Sequence, residues 1–285
     1  MIRAWNYLIE PMIRQIEAKT ILEVGSEVGF STRALLAYVK AERGHLHTID
    51  PKPSFDVWEL QKVNRDFITH YNDLSLKALP DIPPYDVALI DGDHNWYTVF
   101  NELLLIENKH CKENLPQPLI FLHDTDWPYG RRDLYYNPET IPSEFRHPHD
   151  SAGIVYGKTK LVTGRGMNQG LCNAVFEGGK CNGVMTAIED FVAASSLEWL
   201  TVHIPLYFGV TILVTNDRLN SHPSLKISLS KLQDELTNTD LIRFGEQLRI
   251  SEGISFQKLH RENESLKKDL ERALIEIEAL RKVTS

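Results

Sequence analysis

The stretch that decides the fold is Ile21-Leu-Glu-Val-Gly-Ser-Glu-Val-Gly-Phe-Ser31, an apolar run that ends in a glycine-bearing turn and passes directly into helical sequence. Gly25 and Gly29 let the backbone approach a ligand closely, and the free N–H groups of a helix starting near Ser31 face it. The spacing G-x-x-x-G lacks the middle glycine of the dinucleotide fingerprint, which admits a pyrophosphate. Glu27 would repel phosphate, and Glu23 at the strand end suits a ligand carrying ammonium or sulfonium charge. The alternative is an ordinary strand-turn-helix with incidental glycines.

Outward from this turn, strands and helices alternate. Gly44 to Asp50 reads as a second strand closed by an acid, 25 residues past Gly25, where open α/β sheets take ribose hydroxyls. A helix over 55–65 leads to a third strand, 67–71, and then to Asn72-Asp73. Tyr85 to Ile90 is a buried fourth strand running into Asp91-Gly-Asp-His94, and 118–122 is a fifth, running into His123-Asp124-Thr125. Alternation of this kind implies a parallel sheet, with its polar strand ends gathered along one edge. Helix 184–194 and strands 199–203 and 208–215 complete seven strands, the last two as a hairpin-like pair.

From Asp126 to Gly183 the periodicity stops and Pro, Gly, Tyr, Arg and His become dense. So long an irregular stretch inside a domain is either disordered or a lid, and its aromatics and paired arginines favour the lid. Beyond Asn216 a polar helical linker to Gly253 precedes a heptad run: Phe256, Leu259, Asn263, Leu266, Leu270, Ala273, Ile277 and Leu280. With Phe256 and Asn263 at a positions, Glu262 and Glu276 face Lys267 and Arg281 of a parallel partner, and Asn263 selects two strands. The expected layout is a domain over 1–215 with a lid at about 126–183, a linker over 216–253 and a coiled coil over 254–285 that makes a homodimer. A helix lying on its own domain is the alternative.

Composition bounds the function. The 285 residues are 42% hydrophobic and 25% charged, with a net charge of −8, which argues against nucleic acid as the main partner. No apolar run is long enough to span a bilayer, and the amphipathic N-terminus, interrupted by Pro11, is no signal peptide. Cys111, Cys172 and Cys181 fit neither a disulfide framework nor a zinc finger, so reduced thiols in a cytoplasm are expected.

Glu-Val-Gly-Ser-x-x-Gly-x-Ser-Thr, the acid ending the second strand, Ile-Asp-Gly-Asp-His and His-Asp-Thr together resemble a class I S-adenosylmethionine-dependent methyltransferase. The likeness is to the type 24 family in particular, frequent among bacterial enzymes that modify sugars and polysaccharides, and it covers roughly residues 18–215. It implies a Rossmann-like, mostly parallel sheet with helices on both faces. The donor would lie against Glu23, Gly25, Ser26, Gly29, Phe30, Ser31, Asp50, Asp73 and Asp91. A finer likeness is to the metal-dependent catechol and caffeoyl O-methyltransferases, which places Asp91, His123 and Asp124 on the metal ligands and His94 on the base. His at 123, Asp at 124 and His at 94 depart from that pattern, a mixture open to Mg²⁺, Mn²⁺ or a softer ion.

A divalent cation would lower the pKa of an acceptor hydroxyl, and a neutral imidazole could take the proton, so Asp91 and His94 are the catalytic candidates. Trp127, Tyr129, Arg131 and Arg132 are the candidate acceptor surface, with Tyr135 and Tyr136 beside them. The expected reaction is O-methylation of a carbohydrate hydroxyl on a cell-envelope polysaccharide or glycan precursor, in peripheral association with an envelope-biosynthesis complex. The alternatives are a metal-independent methyltransferase with a His base, another chemistry on the same scaffold (a metal-dependent hydroxylase or N-methyltransferase), and a non-catalytic donor-binding scaffold that recruits partners through its coiled coil.

Overall fold

In the computed structural model, which describes residues 1–236 and 239–284, short apolar segments build a seven-stranded sheet. In chain order the elements are α1 (Glu10–Gln15), β1 (Thr20–Val24), α2 (Phe30–Ala41), β2 (His45–Ile49), α3 (Val57–Val63), β3 (Ile68–Tyr71), α4 (Ser75–Ala78), β4 (Val87–Ile90), α5 (Trp96–Lys112) and β5 (Leu119–His123). There follow β6 (Leu134–Tyr135), β7 (His149–Asp150), β8 (Cys172–Ala174), α6 (Val184–Ala194), β9 (Trp199–Ile204), β10 (Val210–Thr215), α7 (Asn216–Ser221), α8 (Pro223–Glu235) and α9 (Thr239–Thr284). The sheet order is β3-β2-β1-β4-β5-β10-β9; the first five strands are parallel and β10 is antiparallel to both neighbours. The expected hairpin-like closing pair is present.

Because strand side chains alternate faces, each strand feeds two cores. Ile21, Leu89, Phe121 and Ile212 enter the core made with α1, α2 and α8, where Ile13, Leu35, Tyr38, Leu225 and Leu229 are buried. Leu22, Ile90, Ile120 and Leu213 enter the opposite core, with Val99, Leu103 and Ile106 of α5 and Ile188 and Phe191 of α6. Strands β4 and β10 are buried at every position, as strands covered on both faces must be.

Residues 126–183 are ordered into a small sheet, β6-β8-β7, with a third core of Trp127, Tyr129, Leu134, Ile154 and Met167. Its anchor is Asp133, wholly buried, which accepts hydrogen bonds from Trp96 N (2.8 Å), Gly183 N (2.6 Å) and Tyr135 Oη (2.8 Å). Those partners lie far apart in the chain, so this role was not visible in the sequence. Cys111, Cys172 and Cys181 are free thiols.

Helix α9 runs 46 residues and passes Gly253 without a break. Its first turns are built into the domain. Ile250 joins the third core, Glu246 accepts from Tyr207 N and Phe208 N at 3.0 Å each, and Gln257 Nε2 donates to Asn168 Oδ1 at 3.2 Å. Further out, Phe256, Leu259, Leu266 and Leu270 are exposed, as is Asn263. The side chains of Glu276, Ile277, Leu280 and Arg281 lie outside the described residues.

Candidate active site

Register brings the site together. Val24 pairs with Ile49 and Ile90, and Ile90 with Leu122, so Gly25, Asp50, Asp91 and His123 all follow one step later on the same sheet edge. Gly25 has φ +86°, and a Cβ there would stand 2.2 Å from the Asp91 carbonyl oxygen; the position is closed by the protein's own backbone. Gly29, at φ +77°, is the N-cap of α2. Phe30 is exposed and Ser31 half-buried on the first turn of that helix.

Asp50 ends β2 as expected, but its oxygens serve the glycine turn. Oδ2 accepts from Ser26 N (2.9 Å), Ser26 Oγ (3.1 Å) and Glu27 N (2.9 Å), and Oδ1 from Lys52 N (2.8 Å). Ser26 is therefore turned toward Asp50. Asp73 is exposed, caps Leu74 N at 2.7 Å and sits 3.8 Å from Lys77, outside the group.

Glu23 is 2% exposed. Its Oε2 accepts from Thr32 Oγ1 at 2.7 Å and Thr48 Oγ1 at 3.2 Å, while Oε1 is buried without a partner among the described residues. Burial raises its pKa to about 8, more than the two hydroxyls can offset. A buried carboxyl with an idle oxygen at a strand end is what a cationic ligand would charge.

Beside it, Asp91, His123 and Asp124 each offer a ligand atom, all within 4.8 Å of one another. His123 Nδ1 is 3.0 Å from Asp124 Oδ2 and 3.2 Å from Asp91 Oδ1. His94 Nε2 lies 3.2 Å from Asp124 Oδ2 and 3.6 Å from Asp91 Oδ1 without the alignment of a hydrogen bond. The Met1 ammonium donates to Asp91 Oδ2 at 2.8 Å. Burial alone would raise Asp91, but His123 first, then His94 and the ammonium, hold it well below the carboxylate range. Burial opposes charge on His123 as well, and Asp91 and Asp124 overcome it, to about 10. The two carboxylates are thus countered by the two imidazoles and the Met1 ammonium, and one divalent ion would neutralise them with both imidazoles uncharged. Asp124 also carries φ +56°, a conformation uncommon outside glycine. The donor set fits a metal.

The acceptor candidates divide. Tyr129 is buried and its ring stacks on His94, with centroids 5.7 Å apart. Trp127 is buried, edge-on to Tyr156 at 5.5 Å. Arg131 is partly exposed and pairs with Glu189 at 2.5 Å. Arg132 is wholly buried, donating to the carbonyls of Ala174 and Thr159, and stands 3.6 Å from Glu177, so its hydrogen bonds hold residues 126–183 together. Tyr135, too, is spent on Asp133, whereas Tyr136 is exposed with its ring 6.0 Å from that of His94.

Residues 22–125 match the family model described as a methyltransferase domain. No curated protein matches the chain. Among solved structures, a Podospora anserina methyltransferase with bound S-adenosylhomocysteine (SAH) is similar at 15% identity, over 72% of this chain and 76% of that one, with a TM-score of 0.43. An O-methyltransferase from Bacillus cereus in complex with SAH is similar at 13% identity, over 73% and 78%, TM-score 0.41. The Burkholderia thailandensis 1,6-didemethyltoxoflavin-N1-methyltransferase is similar at 12% identity, over 72% and 75%, TM-score 0.39. The family match spans the glycine turn and the strand ends that carry Asp50, Asp91, His123 and Asp124, so residues 22–125 are similar to a methyltransferase domain and lie within a seven-stranded sheet with one antiparallel strand.

Proposed function

We propose that the enzyme methylates a hydroxyl oxygen of a carbohydrate, with a divalent metal assisting. The observation that carries this reading is the group Asp91, His123 and Asp124 beside His94, on two neighbouring strand ends next to the glycine turn. The donor is held by Glu23, Gly25, Ser26, Gly29, Phe30, Ser31 and Asp91, with Asp50 fixing the turn's shape; Asp73 belongs to the same edge. Asp91, His123 and Asp124 would hold the metal, Mg²⁺ or Mn²⁺, whose charge would lower the pKa of a nearby hydroxyl. His94, in its neutral form, accepts the hydroxyl proton at Nε2, the nitrogen nearest the two carboxylates. Residues 126–183 act as a lid that excludes water and keeps His94 in place.

The exposed stripe of α9 supports a parallel two-stranded coiled coil that pairs two enzymes. Among the described residues no helix is long and apolar enough to cross a membrane, in keeping with a cytoplasmic enzyme associated peripherally with envelope glycan synthesis. A second reading, metal-independent transfer with His94 as a plain base, is favoured by the 3.2 Å approach of His94 to Asp124. A donor-binding scaffold without catalysis is the third. Transfer of labelled methyl from S-adenosylmethionine to envelope glycan fractions, with and without chelator, tests all three. Label in glycan that disappears with chelator supports the first, label indifferent to chelator the second, and no label in any fraction the third.

A further inference from the structure

A separate cavity of about 250 Å³ opens where residues 126–183 meet the start of α9 and the turn between β9 and β10. That volume suits one small ring, since a drug-sized ligand takes about 300 to 1,000 Å³. Asp126, Trp127, Tyr156, Arg243, Gln247 and Glu246 line it, the last paired with Arg249 at 2.6 Å. Asp126 and Trp127 come two and three residues after Asp124, so the cavity adjoins the candidate metal group along the chain.

Its chemistry is mixed in a particular way. The indole Nε1 of Trp127 is buried and has no hydrogen-bond partner among the described residues, and Tyr156 stands edge-on to that ring at 67°. Gln247 Nε2 donates to Tyr156 Oη at 3.0 Å. Asp126 Oδ1 accepts from Trp127 N at 2.7 Å, and Oδ2 lies 3.7 Å from His203 Nε2, so the carboxylate is fixed in direction. Arg243 is exposed and forms no ion pair within 4 Å among the described residues, and its charge acts at longer range on the Asp126 carboxylate. A sugar ring uses each of these features: an apolar C–H face for the aromatics, hydroxyls for Asp126 and Gln247, and a ring substituent for Arg243. A guanidinium without a close ion-pair partner can hold a carboxylate by two parallel hydrogen bonds.

Resting on the carbohydrate reading above, we propose that this cavity is an acceptor subsite for an acidic sugar, a uronate residue adjoining the one that is methylated. The start of α9 is then part of the substrate-binding surface, supplying Arg243 and Gln247.

The test is ligand-observed NMR and calorimetry on the full chain with bound SAH, using methyl glucuronide and methyl glucoside as probes. The glucuronide should bind in preference, Arg243→Ala should weaken it by about tenfold or more and remove the preference, and Gln247→Ala should weaken both sugars. Donor affinity and the circular dichroism spectrum should be unchanged in both variants. Equal binding of the two sugars by the unmodified protein, or glucuronide binding indifferent to Arg243→Ala, overturns the proposal. A sugar phosphate that binds more tightly than the glucuronide through Arg243 overturns the uronate assignment. Methylation of a neutral glycan unaffected by Arg243→Ala refutes the subsite and leaves the carbohydrate reading standing. Methylation of a non-carbohydrate acceptor, with neither sugar bound, removes both.

Discussion

The ring of Tyr129 lies flat on that of His94, the planes 9° apart and the centroids 5.7 Å apart. Tyr129 is itself immobilised: its hydroxyl accepts from Asn168 Nδ2 at 2.7 Å and donates to Asn173 Oδ1 at 3.1 Å. The His94 carbonyl is held by Leu134 N at 2.9 Å. Tyr129→Ala should therefore free the imidazole and lower kcat by about ten- to a hundredfold, within the range general-base positioning commands. Donor affinity should not move, and the limb of the pH–rate profile assigned to His94 should shift. Tyr129→Phe, which keeps the stacked face, should retain most activity; equal losses in the two variants would contradict a stacking role.

Gly25→Ala tests the donor cradle. A left-handed alanine costs roughly 1 to 2 kcal/mol, and the added Cβ would also press on the Asp91 carbonyl, so the turn and the strand end must separate. Calorimetry should detect no donor binding. A dissociation constant within about threefold of the unmodified protein would show that the turn yields without harm to the cradle.

Metal binding can be read without any reaction. Mn²⁺ at about a hundred times its dissociation constant should stabilise the protein by about 2.7 kcal/mol. His123→Ala and Asp124→Ala should abolish that rise in melting temperature. A rise equal in all three proteins would place the ion elsewhere.

Glu102 offers a pH test away from the metal group. It is wholly buried on α5, neither carboxylate oxygen has a well-aligned hydrogen-bond partner among the described residues, and burial lifts its pKa to about 8, against a smaller opposing effect of the nearby Ser75. Raised above its unfolded value, the group favours the native state fully below about pH 4.5, and this advantage is lost as pH rises through 8. Glu102→Gln should accordingly be more stable than the unmodified protein at pH 8.5, by about 1 to 3 kcal/mol, and nearly equal at pH 5. Denaturant titrations at the two pH values check this, and a pH-independent difference would refute it.

The assembly is tested by truncation, and the contacts of α9 decide where to cut. Ending the chain at Gly253 would strip away Ile254 and Gln257, which pack against residues 126–183. Ending it at Glu262 keeps them. Light scattering should give a dimer for the full chain and a monomer for 1–262. A monomeric full chain at about tens of micromolar would remove the pairing, and a dimeric truncation would move the interface onto the domain.

The sheet was legible because its information is local: each buried strand is a short apolar run, and each polar strand end follows directly. That pattern put Asp91, His94, His123 and Asp124 at strand ends; their reading as metal ligands and base came from the resemblance to metal-dependent O-methyltransferases. Residues 126–183 were legible only as an irregular, aromatic-rich stretch. What organises them are contacts between distant positions, such as Asp133 with Trp96 and Gly183, or Arg132 with the carbonyls of Thr159 and Ala174. Adjacent arginines look alike in sequence; only the fold puts one at the surface and seals the other away. Glu102 was passed over for a similar reason, since a Glu on an amphipathic helix is ordinarily solvated. The helical pattern past Gly253 was read as a new unit, whereas the contacts of Glu246, Ile250 and Gln257 tie the same helix to the domain.

That unbroken helix has a geometric consequence. Gln257 turns inward to Asn168 while its neighbour Phe256 faces out, and successive residues of an α-helix are separated by about 100° of rotation. The azimuth of the outer stripe is therefore locked to that of the catalytic face, as two marks cut on one axle. One residue added between Gln257 and Asn263 would swing everything beyond it by about 100° and advance it by about 1.5 Å, whereas seven would nearly restore the heading and add about 10.5 Å of reach. Distance and direction between the active site and whatever grips the far end are thus separately adjustable by the length of a segment that touches neither.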